Sequence, residues 1–129
     1  MSGSFQLRNI DPICFIPTID PARARKFYEG VLGLSLVSDE LPFALVFDLN
    51  GIMLRLTAVQ ELIPAVYTIH GWKVPEIAEA ARVMQERGVV FEQYAWMEQD
   101  ELGIWTSPSG AKVAWFKDPD GNTLSISQH

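Results

Sequence analysis

Two stretches of the chain carry apolar residues at helical spacing, each preceded by an apolar run. In the first half Ala24, Phe27 and Val31 fall on one helical face. Asp20 stands where a side chain can cap the free N–H groups, and Pro21 suits the first helical position because it has no N–H to lose. Gly30 or Gly33 then closes the helix. In the second half Ile77, Ala80, Ala81 and Met84 give the i, i+3, i+4, i+7 stripe, and Gly88 after Arg87 is the stop signal. The preceding runs, Ile10–Thr18 and Val66–Val74, read as strands.

After each helix the chain repeats itself. Asp48-Leu49-Asn50-Gly51-Ile52-Met53-Leu54-Arg55-Leu56 returns seventy residues later as Asp118-Pro119-Asp120-Gly121-Asn122-Thr123-Leu124-Ser125-Ile126. Asp, Gly, Leu and a branched apolar residue recur at the same four places. Each half therefore reads as a strand, a helix, then strands joined by an Asp-x-x-Gly hairpin. A repeat at half the chain length predicts one domain, 1–129, built from a module at 8–58 and a module at 65–128. A binding cleft is expected at their pseudo-symmetric junction. Asp20 and Asp48 are 28 positions apart but Glu76 and Asp118 are 42 apart, so the second module holds an insertion, placed at 92–110. Long insertions in compact domains commonly serve as lids or binding loops.

Composition narrows the partners. The hydrophobic fraction of 48% supports a real core. No apolar run approaches the roughly 18 residues that span a bilayer, so no membrane partner is expected. Met1-Ser2-Gly3-Ser4-Phe5 lacks the basic and apolar regions of an export signal, which gives a cytoplasmic expectation. Cys14, the one cysteine, reads as a small buried hydrophobe. A net charge of −6 makes nucleic acid a poor partner, and the Arg23, Arg25 and Lys26 group reads as a solvated helix face. Between Arg87 and Lys112 there is no Lys or Arg, whereas Glu92, Glu98, Asp100 and Glu101 alternate with Tyr94, Trp96 and Trp105. Such a segment suits a cationic or aromatic ligand; the competing reading is a solvated loop whose tryptophans pack on the sheet.

Catalytic patterns are sparse. Ser107, Ser109, Ser125 and Ser127 have no histidine at motif spacing. Gly30-x-x-Gly33 reads as a helix terminus, and Asp118-Pro119-Asp120-Gly121 as a tight hairpin rather than a calcium loop. The two histidines, His70 and the terminal His129, leave little room for a three-His or two-His-plus-carboxylate site.

Ala24-Arg25-Lys26-Phe27-Tyr28-Glu29-Gly30-Val31-Leu32-Gly33-Leu34 and Trp115-Phe116-Lys117-Asp118-Pro119-Asp120-Gly121-Asn122 resemble the two hallmarks of the vicinal oxygen chelate superfamily. That group holds glyoxalases, extradiol dioxygenases, and bleomycin- and fosfomycin-resistance proteins. The resemblance implies an α+β fold, two tandem βαβββ modules forming a curled mixed sheet around a cleft, and commonly a homodimer. It also implies a divalent metal held at four equivalent places, one on the first and one on the last strand of each module. Counting from the helix caps and hairpin glycines puts Ile13, Arg55, Ile69 and Ser125 at those places. Two isoleucines, an arginine and a serine do not make a metal site, so no metal and no other cofactor is expected. His70 is adjacent to Ile69, but one step along a strand reverses the face. His70, Trp72 and Val74 should point to the helix layer, and Ile69, Gly71 and Lys73 to the cavity. Arg55 should either pair with an internal carboxylate or bind an anionic group on a ligand.

These readings favour a metal-independent small-molecule-binding protein with an aromatic or amphoteric organic ligand in the cleft. Ile13, Phe15, Arg55, Ile69, Gly71 and Ser125 would line it, Gly71 by leaving room, with Trp96 and Trp105 at its approach. No catalytic residue is assigned. The alternative is a lyase, isomerase or dioxygenase-type enzyme of the same superfamily, using either metal ligands in another register or Glu98, Asp100 or Glu101 in metal-free acid–base work. A third class is an interaction module with a vestigial cleft. A homodimer is expected in any case, because strand edges and an apolar sheet face need cover.

Overall fold

Asp20 caps its helix as its position requires: the carboxylate accepts from the Arg23 N–H at 3.1 Å. The computed structural model describes residues 5–129; Met1–Ser4, part of the stretch read for an export signal, lie outside it. Strand β1 (Ile13–Thr18) leads into helix α1, which opens with one α-helical turn at Pro21–Arg25 and widens into a π-helical stretch at Lys26–Val31. Gly30 lies within that stretch, and the chain turns out at Gly33, where φ is +76°, a value glycine adopts at no steric cost. Strands β2 (Ser35–Glu40), β3 (Ala44–Leu49) and β4 (Ile52–Ala58) complete the first module.

The second module runs β5 (His70–Lys73), α2 (Ile77–Glu86), β6 (Trp105–Thr106), β7 (Lys112–Lys117) and β8 (Thr123–Gln128). Both leading strands are shorter than the apolar runs that predict them. Val66 and Tyr67 are exposed and only His70–Lys73 pairs. Glu76 makes no side-chain cap; Gln128 at the end of β8 accepts from the Ile77 N–H instead, at 2.9 Å.

The sheet orders are identical by position, β1-β4-β3-β2 and β5-β8-β7-β6, with the leading strand of each module parallel to its last. The βαβββ repeat is thus real, and the architecture is α+β. Its curled sheet consists of two four-stranded halves that are not paired strand to strand. The matching hairpin sequences form different turns. Asn50 and Gly51 are a two-residue turn, both at positive φ, with the Gly51 N–H bonded to Asp48 Oδ1. The second hairpin spans Asp118–Asn122, and Asp118 Oδ1 accepts from the N–H groups of Asp120 and Asn122.

That longer hairpin ties the modules together within one chain. Tyr28 donates to Asp118 Oδ2 at 2.5 Å, Asn122 Nδ2 donates to the same oxygen and to Pro17 O, and the Ile19 N–H donates to Asp120 Oδ1. Around this network one apolar core runs through both modules, with Ile16, Leu45, Phe47, Leu54 and Leu56 from the first sheet and Ala114, Phe116, Leu124 and Ile126 from the second. The helices cover these faces. No helix among the described residues is long and apolar enough to cross a membrane.

Candidate functional site

Alternation along the strands leaves each sheet a second, open face. In β1 Ile16 is fully buried while Ile13 and Phe15 are 48% and 62% exposed. The parallel register sets Ile13 beside Met53 and Phe15 beside Arg55, so these four share the open face of the first sheet. Met53 is 41% exposed. Arg55 is committed: its Nη1 lies 3.1 Å from Glu40 Oε1. Of the two roles open to this arginine, the internal ion pair is present, and the Glu40 carboxylate offsets part of the attraction the side chain would offer an anion.

On the second sheet, Gly71 stands beside Ser125, and Trp115 pairs with Ser125 across β7 and β8. Gly71 does not add room as its missing side chain suggests: a β-carbon there would meet Ser125 Oγ at 2.6 Å. A side chain at this position would have to displace the Ser125 hydroxyl, and Ser125 itself is buried. Ile69 precedes β5, donates its N–H to Thr123 O and packs against the core rather than standing in an open cavity.

His70 sits beside Leu124, and Trp72 beside Ile126, both core residues, so His70 faces the helix layer as strand parity predicts. Its ring stands edge-on to Trp72 at 4.6 Å and 88°, and its Nε2 is buried without a hydrogen-bond partner among the described residues. Burial lowers its pKa and favours the neutral imidazole.

The insertion is ordered. Gln99 Nε2 donates to Glu92 O and Gly103 O, its Oε1 accepts from the Tyr94 N–H, and Asp100 Oδ1 accepts from the Leu102 and Ile104 N–H groups. This frame sets a band of aromatic rings over the open face of the second sheet. Trp105 and Trp115 are 6.1 Å apart, Tyr94 and Trp115 6.0 Å, and Tyr94 and Trp96 5.5 Å. Trp115 Nε1 donates to Thr68 Oγ1 at 3.0 Å, while Trp96 is 78% exposed. Burial, then the charge of Glu92, raise the Tyr94 pKa, partly offset by Lys117, so the phenol stays neutral. Beside the band, Glu98, Asp100, Trp105 and Thr106 line a polar hollow of about 450 Å³. Trp115 was missed as a site residue; its alternate position in β7, opposite Ser125, was the available signal.

The expected ligand residues therefore fall into two groups. Ile13, Phe15 and Arg55 lie on one open face; Gly71, Ser125 and Trp105 lie on the other, with Trp96 at its margin. None of five hollows on the molecule is lined by both groups.

Paired βαβββ modules with open sheet faces define the fold class, and comparison gives the family. The Glyoxalase/Bleomycin resistance protein/Dioxygenase superfamily profile matches residues 9–126, and the chain belongs to that family. A superfamily member from Sphaerobacter thermophilus is similar in structure, with a TM-score of 0.74 and 23% identity over 96% of this chain and 100% of that one. Lactoylglutathione lyase from Agrobacterium tumefaciens has a TM-score of 0.72 and 20% identity over 93% of each chain. A superfamily protein from Alicyclobacillus acidocaldarius has a TM-score of 0.71 and 19% identity over 94% and 92%. No curated protein sequence is significantly similar to the chain. The metal that the family resemblance implies does not fit the residues present: Ile13 and Ile69 have no donor atom, Arg55 is a paired cation, and Ser125 is packed on Gly71.

Proposed function

We propose that the protein is a metal-independent binding protein for a small aromatic or amphoteric organic molecule. The aromatic band carries this reading: Tyr94, Trp96, Trp105 and Trp115 form a run of neighbouring rings, tilted or edge-to-face, held by β6, β7 and the hydrogen-bonded insertion. Rings held in this way bind flat ligands at little ordering cost. The open face of Ile13, Phe15 and Met53 supplies an apolar opposite wall. A second copy of the chain, laid with its first module against the second module of its partner, would bring the two walls together. Because Arg55 is held by Glu40, a neutral or amphoteric ligand suits the cleft better than a simple anion.

Titration of tryptophan fluorescence with a panel of neutral, cationic and amphoteric aromatics tests the proposal. Saturable quenching is expected, weakened at least tenfold by Trp105→Ala. The absence of binding tighter than about 1 mM, a free energy of roughly −4 kcal/mol, would overturn it. The hollow beside Glu98 and Asp100 is the observation that favours the enzymatic alternative. Asp100, however, already caps the loop through Oδ1, which makes Glu98 the better-placed acid–base group. Turnover of a bound ligand, abolished by Glu98→Gln with binding retained, would establish that alternative.

A further inference from the structure

The seam between the modules is closed at one end and open at the other. At the closed end the five-residue hairpin reaches across, and Asn122 Nδ2 bonds to Pro17 O. At the opposite end the two-residue Asn50–Gly51 turn makes no equivalent bond to β5, and a hollow of about 470 Å³ lies between Cys14, Asn50 and His70–Lys73. A second hollow, of about 260 Å³, adjoins it beneath α2 and is lined by Leu32, Met84, Arg87 and Ile126. The two share Leu34, Trp72 and Lys73, so they form one trough along the free edge of β5, where Trp72 faces the helix side and Lys73, in phase with Gly71, stands at the strand edge.

Charge identifies its occupant. The chain has 16 acidic and 10 basic residues, yet neither hollow has an Asp or Glu in its lining. Lys73 and Arg87 stand at the rim, and neither makes an ion pair among the described residues. Arg87 is held over the end of α1, its Nη1 3.6 Å from the place of a Gly33 β-carbon. Between these cations the floor is Trp72, Met84, Leu34 and Ile126, a flat ring with soft apolar neighbours. We infer that this trough is a second binding site, taking a small amphipathic carboxylate whose aromatic or aliphatic body lies on Trp72 and Met84 and whose carboxylate meets Lys73 and Arg87. The site is independent of the aromatic cleft proposed above.

The test uses the full chain with naphthalene-2-carboxylate and its neutral carboxamide as probes, followed by NMR. The carboxylate should bind saturably with a Kd below about 1 mM and shift the Trp72 indole and Met84 methyl signals, leaving Trp105 in place. The double variant Lys73→Gln/Arg87→Gln, both exposed positions on the rim, should keep the thermal midpoint of the parent. It should bind the carboxylate at least tenfold more weakly and the carboxamide equally well. Four results would overturn the inference: no saturable binding, shifts at Trp105 in place of Trp72, equal carboxylate affinity in the double variant, or Trp72 and Met84 signals that move on dilution without ligand. The last would mean that a second copy of the chain covers the trough.

Discussion

The buried Asp118 shows how one side chain serves two modules. It organises its own hairpin through Oδ1 and receives Tyr28 and Asn122 through Oδ2. Tyr28→Phe removes the phenolic donor to that carboxylate and should cost about 1.5–3 kcal/mol, the range for a hydrogen bond to a charged group, read by urea unfolding. Burial first, then the charge of Asp118, hold the Tyr28 phenol far above its usual value. The unfolded tyrosine ionises near pH 10 while the folded one does not, so stability should fall as pH rises past about 10. Tyr28→Phe should flatten that alkaline loss. His70 acts at the other end of the scale. Its folded pKa lies below the unfolded value, so its contribution is present above about pH 6.5 and is lost as pH falls below it. His70→Phe should reduce the slope of stability between about pH 6.5 and pH 5, measured by thermal unfolding of both proteins. Strand parity gave the direction of His70 in advance. The Tyr28–Asp118 bond spans 90 positions and could not be read from two motifs that each made local sense.

Helices and hairpins divide by where their end groups find partners. Helix α1 is capped by its own neighbour Asp20, and that cap was legible. Helix α2 is capped by Gln128, 51 positions away, which no local pattern announces. Gln128→Ala should lower stability by about 1 kcal/mol, the usual worth of an N-cap, seen as a lower thermal midpoint. The insertion follows the same rule. Its acidic and aromatic composition left open a binding loop or a solvated loop packed on the sheet, and its order comes from Gln99, an ordinary polar residue in the sequence. Gln99→Ala should accelerate amide exchange at Tyr94 without changing exchange in β3 and β4. The two hairpins also separate here. Equal Asp-x-x-Gly spacing produced a two-residue turn and a five-residue loop, because strand register on either side, not the motif, sets loop length.

Across the molecule, Ile13, Phe15 and Met53 form an apolar open face that a single chain leaves uncovered. We expect the homodimer read from the sequence to bury this face. Light scattering at tens of micromolar should give about twice the 14.5 kDa chain mass, and Phe15→Asp should return the mass to that of one chain. A monomeric parent protein would defeat this expectation.

The repeat, the order of elements and the family resemblance were legible in the residues alone, as was the absence of donor side chains at Ile13 and Ile69. Each of these is a matter of local spacing or residue chemistry, and a single chain carries that information directly. The assembled fold settled that Arg55 is paired with Glu40, that Gly71 yields its space to Ser125, that Ile69 packs against the core, and that Trp115 joins Trp105 in one aromatic band. It also decided that the expected cleft residues lie on two separate open faces. These outcomes depend on contacts between positions far apart in the chain, where competition among charge pairing, close packing and strand register is settled by the whole fold rather than by any segment of it.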